Sequence, residues 1–143
     1  MIVDPCTMKM ALRKGDSGSA YLWLNEEARG STFWFVVKED INQSDEDAPI
    51  LQKYEHNGDQ FLEISISELE SDKLSAGDNK CPFKNTYKDY IWALKYVENI
   101  RDENGEIIGT GRVRTLVPHP QRKPPIFRVY PEIIRGPHDD LKL

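Results

Sequence analysis

Three histidines, two cysteines, an acidic run and a group of arginines are the residues of this chain whose types can do chemistry. His56, His119 and His138 fall in separate turn or tail segments. None has a cysteine, histidine or carboxylate at ligand spacing on a shared strand or helix, so neither a zinc site nor a general base with its nucleophile emerges. Their setting predicts solvent-exposed histidines. Cys6 and Cys81 show no metal or redox spacing and read as free thiols, with a disulfide between them left open.

Glu39-Asp40 and Asp45-Glu46-Asp47 gather the oxygen donors that calcium prefers, but lack the ordered spacing and glycine of an EF-hand loop. Loop 39–47 therefore reads first as a solvated loop and only second as a calcium site. Ser17-Gly18-Ser19 and Gly109-Thr110-Gly111 lack the strand, turn and helix order of a phosphate loop or nucleophile elbow. Gly109 and Gly111 read instead as a bulge in a long hairpin. No catalytic residue, metal or cofactor is predicted, and the chain reads as non-enzymatic.

The arginines are the remaining candidates. Arg112, Arg114, Arg122, Lys123, Arg128 and Arg135 crowd the C-terminal third. Strand alternation sets Arg112 and Arg114 opposite Val113, and Arg128 opposite Phe127 and Val129, which predicts a shared exposed face. Such a face is either simply solvated or a docking surface, where guanidinium forks meet carboxylates such as the acidic loop of a neighbouring copy. Arg112, Arg114 and Arg128 are thus the partner-binding candidates.

The elements that must carry these residues are strands. Tyr90-Ile91-Trp92-Ala93-Leu94-Lys95-Tyr96-Val97 alternates with period two, Arg101-Asp102-Glu103-Asn104-Gly105-Glu106 is a turn segment, and a second extended run continues to Val117. This predicts one long antiparallel hairpin, with Asn104-Gly105 supplying positive φ angles. Upstream, Ser19 to Leu24 puts Tyr21 and Trp23 on one face and Ala20, Leu22 and Leu24 on the other. Phe33 to Val37 is apolar on both faces, as a central strand is, and Trp34 and Trp92 read as core anchors.

Ile50 to Tyr54 and Phe61 to Ile66 supply two further strands around an Asn57-Gly58-Asp59 turn. Ser67 to Leu74 is the one helical candidate, Ser67 capping and Glu70 closing a capping box, with Leu69 and Leu74 offered for burial. Ala76 to Lys88 reads as a polar loop. Pro118 to Pro125 is extended and cannot enter a central ladder, and it leads into a last strand, Ile126 to Tyr130.

These signals predict an all-β fold: an immunoglobulin-like antiparallel β-sandwich of about seven strands with one short helical turn. The disulfide-bonded form is not expected, since Asn79 stands where a corner tyrosine would precede Cys81 by two. Residues 1–8 read as a flexible N-terminal segment, 9–135 as the sandwich domain and 136–143 as a flexible tail.

Composition bounds the partners. The chain has 143 residues, 38% hydrophobic and 10% aromatic, enough for one domain with its own core. Its net charge of -5 argues against general binding to nucleic acid or anionic membrane. The N-terminal residues lack the basic and apolar runs of a signal peptide, so secretion by that route is not expected.

The order of segments resembles the N-terminal immunoglobulin-like domain of phage upper baseplate proteins. The likeness runs from Arg13-Lys14-Gly15-Asp16 through Phe33 to Lys38, Leu51-Gln52-Lys53-Tyr54 and Leu62-Glu63-Ile64-Ser65-Ile66 to Ala76-Gly77. It continues in Tyr90-Ile91-Trp92, Asn104-Gly105 and Phe127-Arg128-Val129-Tyr130-Pro131-Glu132, and spans Lys9 to Ile134.

The resemblance implies a virion structural component, or in a prophage a protein of the bacterial host cytoplasm, docked on other tail or baseplate proteins and possible as a homo-oligomer. The alternative is a stand-alone sandwich that binds a carbohydrate or other ligand on aromatic side chains such as Tyr87, Tyr90 and Trp92.

Overall fold

Side-chain parity decides how these strands face each other, and the computed structural model describes the result for residues 1, 3–76 and 87–131. The described residues form eight strands: β1 (Met10–Arg13), β2 (Gly18–Trp23), β3 (Thr32–Lys38), β4 (Ile50–Glu55), β5 (Phe61–Ile66), β6 (Lys88–Arg101), β7 (Ile107–Val117) and β8 (Ile126–Tyr130). One short helix, α1 (Glu68–Asp72), follows β5. The fold is all-β and sandwich-like, as the alternation predicts.

The larger sheet has the order β1-β8-β6-β3-β4, with β7 also paired to β6, and β2 and β5 form a two-stranded second sheet. Both sheets feed one core. Ala20, Leu22, Leu62 and Ile64 of the small sheet join Phe33, Phe35, Trp92, Leu94 and Phe127 of the large one.

The prediction of wholly antiparallel pairing is corrected at one edge. β1 pairs with β8 in parallel, Met10 opposite Phe127 and Leu12 opposite Val129. A strand of four residues has too little length to show its period in sequence, yet Met10 and Leu12 are both buried. The segment before it forms a turn. The Asp4 carboxylate accepts from the Cys6 and Thr7 N–H groups, which holds its pKa below the ordinary value, and the Met8 carbonyl accepts from the Trp92 indole.

The long hairpin is present, with a different turn from the one expected. Only Gly105 takes a positive φ; the Gly105 N–H donates to the Asp102 carbonyl, and the Asp102 carboxylate accepts from the Asn104 and Glu106 N–H groups. That is turn chemistry built on aspartate and one left-handed glycine. Register shifts interrupt the β6–β7 pairing, and Gly111 lies within one of them. A Cβ there would meet the Glu98 carboxylate at 2.9 Å, so any larger residue would displace the Glu98 side chain.

The capping box on α1 forms as predicted, Ser67 accepting from the Glu70 N–H and Glu70 from the Ser67 N–H. Leu74 is buried; Leu69 is exposed. The Tyr90 hydroxyl accepts from the Ser75 N–H at 2.8 Å. Asn79 and Cys81 lie outside the described residues, as do 132–143 with Arg135, His138 and the predicted tail.

Tyr54 and Gln52 stitch the two sheets together. The Tyr54 hydroxyl accepts from the Ser65 N–H at 3.1 Å and bonds to the Gln52 side chain, which in turn donates to the Ser65 carbonyl at 2.7 Å. Burial raises the Tyr54 pKa above 10.0, since ionising a partly buried phenol costs solvation.

Candidate functional site

The three arginines chosen from the sequence do not share a face. Arg114 stands opposite Tyr96, whose ring is buried, so it projects on the core side of the sheet, where its guanidinium lies 3.9 Å from the Glu27 carboxylate of the β2–β3 loop. Arg112 is an exposed neighbour whose backbone N–H donates to Glu98.

Arg128 is different. It alternates with the buried Phe127 and Val129 and so points outward. There it makes a forked pair with Asp89 at 2.8 and 3.1 Å and stacks 3.6 Å from the Tyr87 ring centroid. The Asp89 hydrogen bonds raise its already high pKa further. Parity fails as a guide here because the bulges of β7 and the break from Val117 to Ile126 reset the facing between β7 and β8.

The histidine expectation is corrected for His56, which is buried. Its Nδ1 accepts from the Gly30 N–H at 2.9 Å, its Nε2 bonds the Phe61 carbonyl at 2.9 Å, and its ring sits edge-on to Phe33. Those two bonds leave the ring no free nitrogen for catalysis or ligation. His119 lies in an exposed turn of the proline loop.

The acidic loop is likewise engaged piecemeal. Asp45 pairs with Lys38, Glu39 with Lys88 at 2.9 Å, and Asp40 accepts from the Asn42 and Gln43 N–H groups. Among the described residues no cluster of three or more potential metal ligands occurs.

What the sequence reading missed is the outer face of the larger sheet. In a sheet with one wet side that side should be polar. Here β3 and β6 present Trp34, Val36, Ile91, Ala93 and Val97 outward, interrupted by Lys95 opposite Trp34, and these floor a groove of about 550 Å³. Ile41 and Leu51 wall one side; Val113, Pro118 and Pro124 wall the other. Trp34 is 36% exposed and carries the Lys53 ammonium 5.3 Å over its ring, so it is not the core anchor expected. Trp92, fully buried against Phe35, is. The signal was present in the run Phe33 to Val37: in a sandwich of two layers, a strand apolar on both parities turns one of them outward.

A second group of exposed apolar residues lies on the small sheet. Tyr21 is 59% and Trp23 77% exposed, with Phe61 between them edge-on at 5.6 and 6.3 Å. The aromatics named for a carbohydrate platform are placed otherwise: Tyr90 and Trp92 are buried and Tyr87 lies under Arg128. No helix among the described residues is long and apolar enough to cross a membrane.

No protein-family model matches the chain, and neither a curated protein nor a solved structure does.

Proposed function

We propose that this chain is a non-enzymatic assembly module that docks on a neighbouring protein subunit through the outer face of its larger sheet. The observation that carries the reading is the apolar groove floored by Trp34, Val36, Ile91 and Val97, because contiguous apolar surface on a soluble sheet marks an interaction site. Lys38 paired with Asp45, together with Lys95 and Thr115, sets polar groups among the apolar lining, the mixture found in protein interfaces. The resemblance in sequence order suggests phage tail or baseplate proteins as the neighbours, and so a virion or prophage setting.

The test is co-expression with proteins encoded beside this chain, followed by size-exclusion chromatography. A complex is expected that is lost in Val36→Glu with Val113→Glu and kept in Arg112→Gln with Arg114→Gln. A second reading, ligand binding, is favoured by the size of the same groove, since about 300–1,000 Å³ is the range of small-molecule sites. Absence of any complex, together with saturable uptake of an apolar dye blocked by the groove variant, would replace the docking reading with that one.

A further inference from the structure

Four aromatic rings in or beside the larger sheet of this protein have one of its own cations over them. Lys53 lies over Trp34, Lys88 over Tyr90, Arg128 over Tyr87 and Arg13 over Tyr130, at 3.6 to 5.8 Å from the ring centroids. Tyr21, Trp23 and Phe61 break the pattern. They are among the exposed large apolar residues of the molecule, and among the described residues no cation lies over any of the three.

The charge around them is mostly negative, with Arg29, which donates to the Leu24 carbonyl, and Arg114, which pairs with Glu27, as nearby cations. Residues 15–28 and 54–72, which contain both strands of the small sheet, hold nine carboxylates and no lysine or arginine. Glu63 stands directly across from Tyr21 in the β2–β5 pairing, and Trp23 across from Phe61. Glu26 follows Trp23 by three residues and Asp59 precedes Phe61 by two, both exposed. The strands hold this arrangement rigidly, since Ala20, Leu22, Leu62 and Ile64 on their other face are buried.

We infer that the outer face of the small sheet, Tyr21, Trp23 and Phe61 with Glu63, binds an arginine-bearing extended segment of a partner protein. An arginine satisfies both halves of the surface at once. Its plane stacks on an aromatic face, as Arg128 does on Tyr87, while its donors fork to a carboxylate, as Arg128 does to Asp89. The outer edge of β5 is taken at Ser65 by Tyr54 and Gln52 and at Phe61 by His56, whereas β2 has no further strand beside it among the described residues, so an extended segment has the edge of β2 to run along. This surface is separate from the groove of the larger sheet, and either site can fail without the other.

The probe is a synthetic octapeptide of alternating arginine and serine, titrated into the full chain at low salt by calorimetry and by tryptophan fluorescence. Saturable binding is expected, weakened by salt, and weakened about tenfold in Tyr21→Ser with Trp23→Ser, the loss expected from two exposed cation–π contacts at about 0.5–1 kcal/mol each. That variant keeps every carboxylate, so it separates this surface from the general acidity of the chain.

Glu63→Gln should also weaken binding, and Trp34→Ser should leave it unchanged. Absence of saturable binding by the parent, equal binding by the aromatic variant, or loss in Trp34→Ser would each overturn the proposal. Self-association of the chain abolished by Arg112→Gln with Arg114→Gln and by the aromatic variant would overturn it as well, since the occupant would then be a second copy.

Discussion

The Tyr90 hydroxyl accepts a hydrogen bond from the Ser75 N–H, so the start of β6 is tied to the chain that leaves α1. Tyr90 is otherwise buried, and Lys88 caps its ring at 4.9 Å. Tyr90→Phe keeps the ring and removes the acceptor, leaving a partly buried N–H without its partner. A loss of about 1–3 kcal/mol is expected, read as a shift of the urea midpoint at constant slope. An unchanged midpoint would mean that water replaces the hydroxyl and that the tie contributes nothing.

Trp92 and Trp34 should separate cleanly. Trp92→Ala deletes a fully buried indole packed on Phe35 and removes the donor to the Met8 carbonyl, for a cost of about 3–5 kcal/mol. Trp34→Ala deletes a ring that already faces the groove under Lys53, and should cost only about 0.5–1 kcal/mol. Equal losses from the two, measured by chemical denaturation, would show that the outer groove is closed in solution.

That pair of tryptophans marks what was legible in the sequence. Period two marked β2, β5 and β8 as strands, and in β8 the face of Phe127 and Val129 is the buried one, since Arg128 alternates with them. In β3 and β6 both parities are largely apolar, and alternation alone does not tell which set is inside; the outer groove was hidden by that ambiguity. Met10 to Arg13 was invisible as a strand since its partner lies more than a hundred residues away and the pairing is parallel. His56 looked exposed because it precedes Asn57-Gly58, although its ring turns back to bond Gly30 and Phe61.

The seam between the sheets should loosen at alkaline pH. Burial raises the folded-state pKa of Tyr54 above 10.0, so the stability it contributes is fully present below pH 10.0 and is lost as pH rises through the folded value. Unfolding free energy should therefore fall above pH 10.0 in the parent and fall less steeply in Tyr54→Phe, which has no phenol to ionise. Parallel pH profiles for the two proteins would remove Tyr54 from the alkaline transition.

The arginines, grouped by sequence, should divide into two classes when removed. Arg112 is exposed and Arg114 only grazes Glu27, so Arg112→Gln with Arg114→Gln should leave stability within about 0.5 kcal/mol of the parent. Arg128 is held by two bonds to Asp89 and by the Tyr87 ring, with only 20% of its side chain exposed. Arg128→Gln breaks the fork and uncovers the ring, and about 1–2 kcal/mol is expected from those contacts together.

A double-mutant cycle with Asp89→Asn assigns the share due to the fork, because a real coupling makes the double variant less unstable than the sum of the singles. If Arg128→Gln melts like the parent, the stacked arginine is a solvated surface group. Arg128 would then rejoin Arg112 and Arg114 as a residue free to meet a partner.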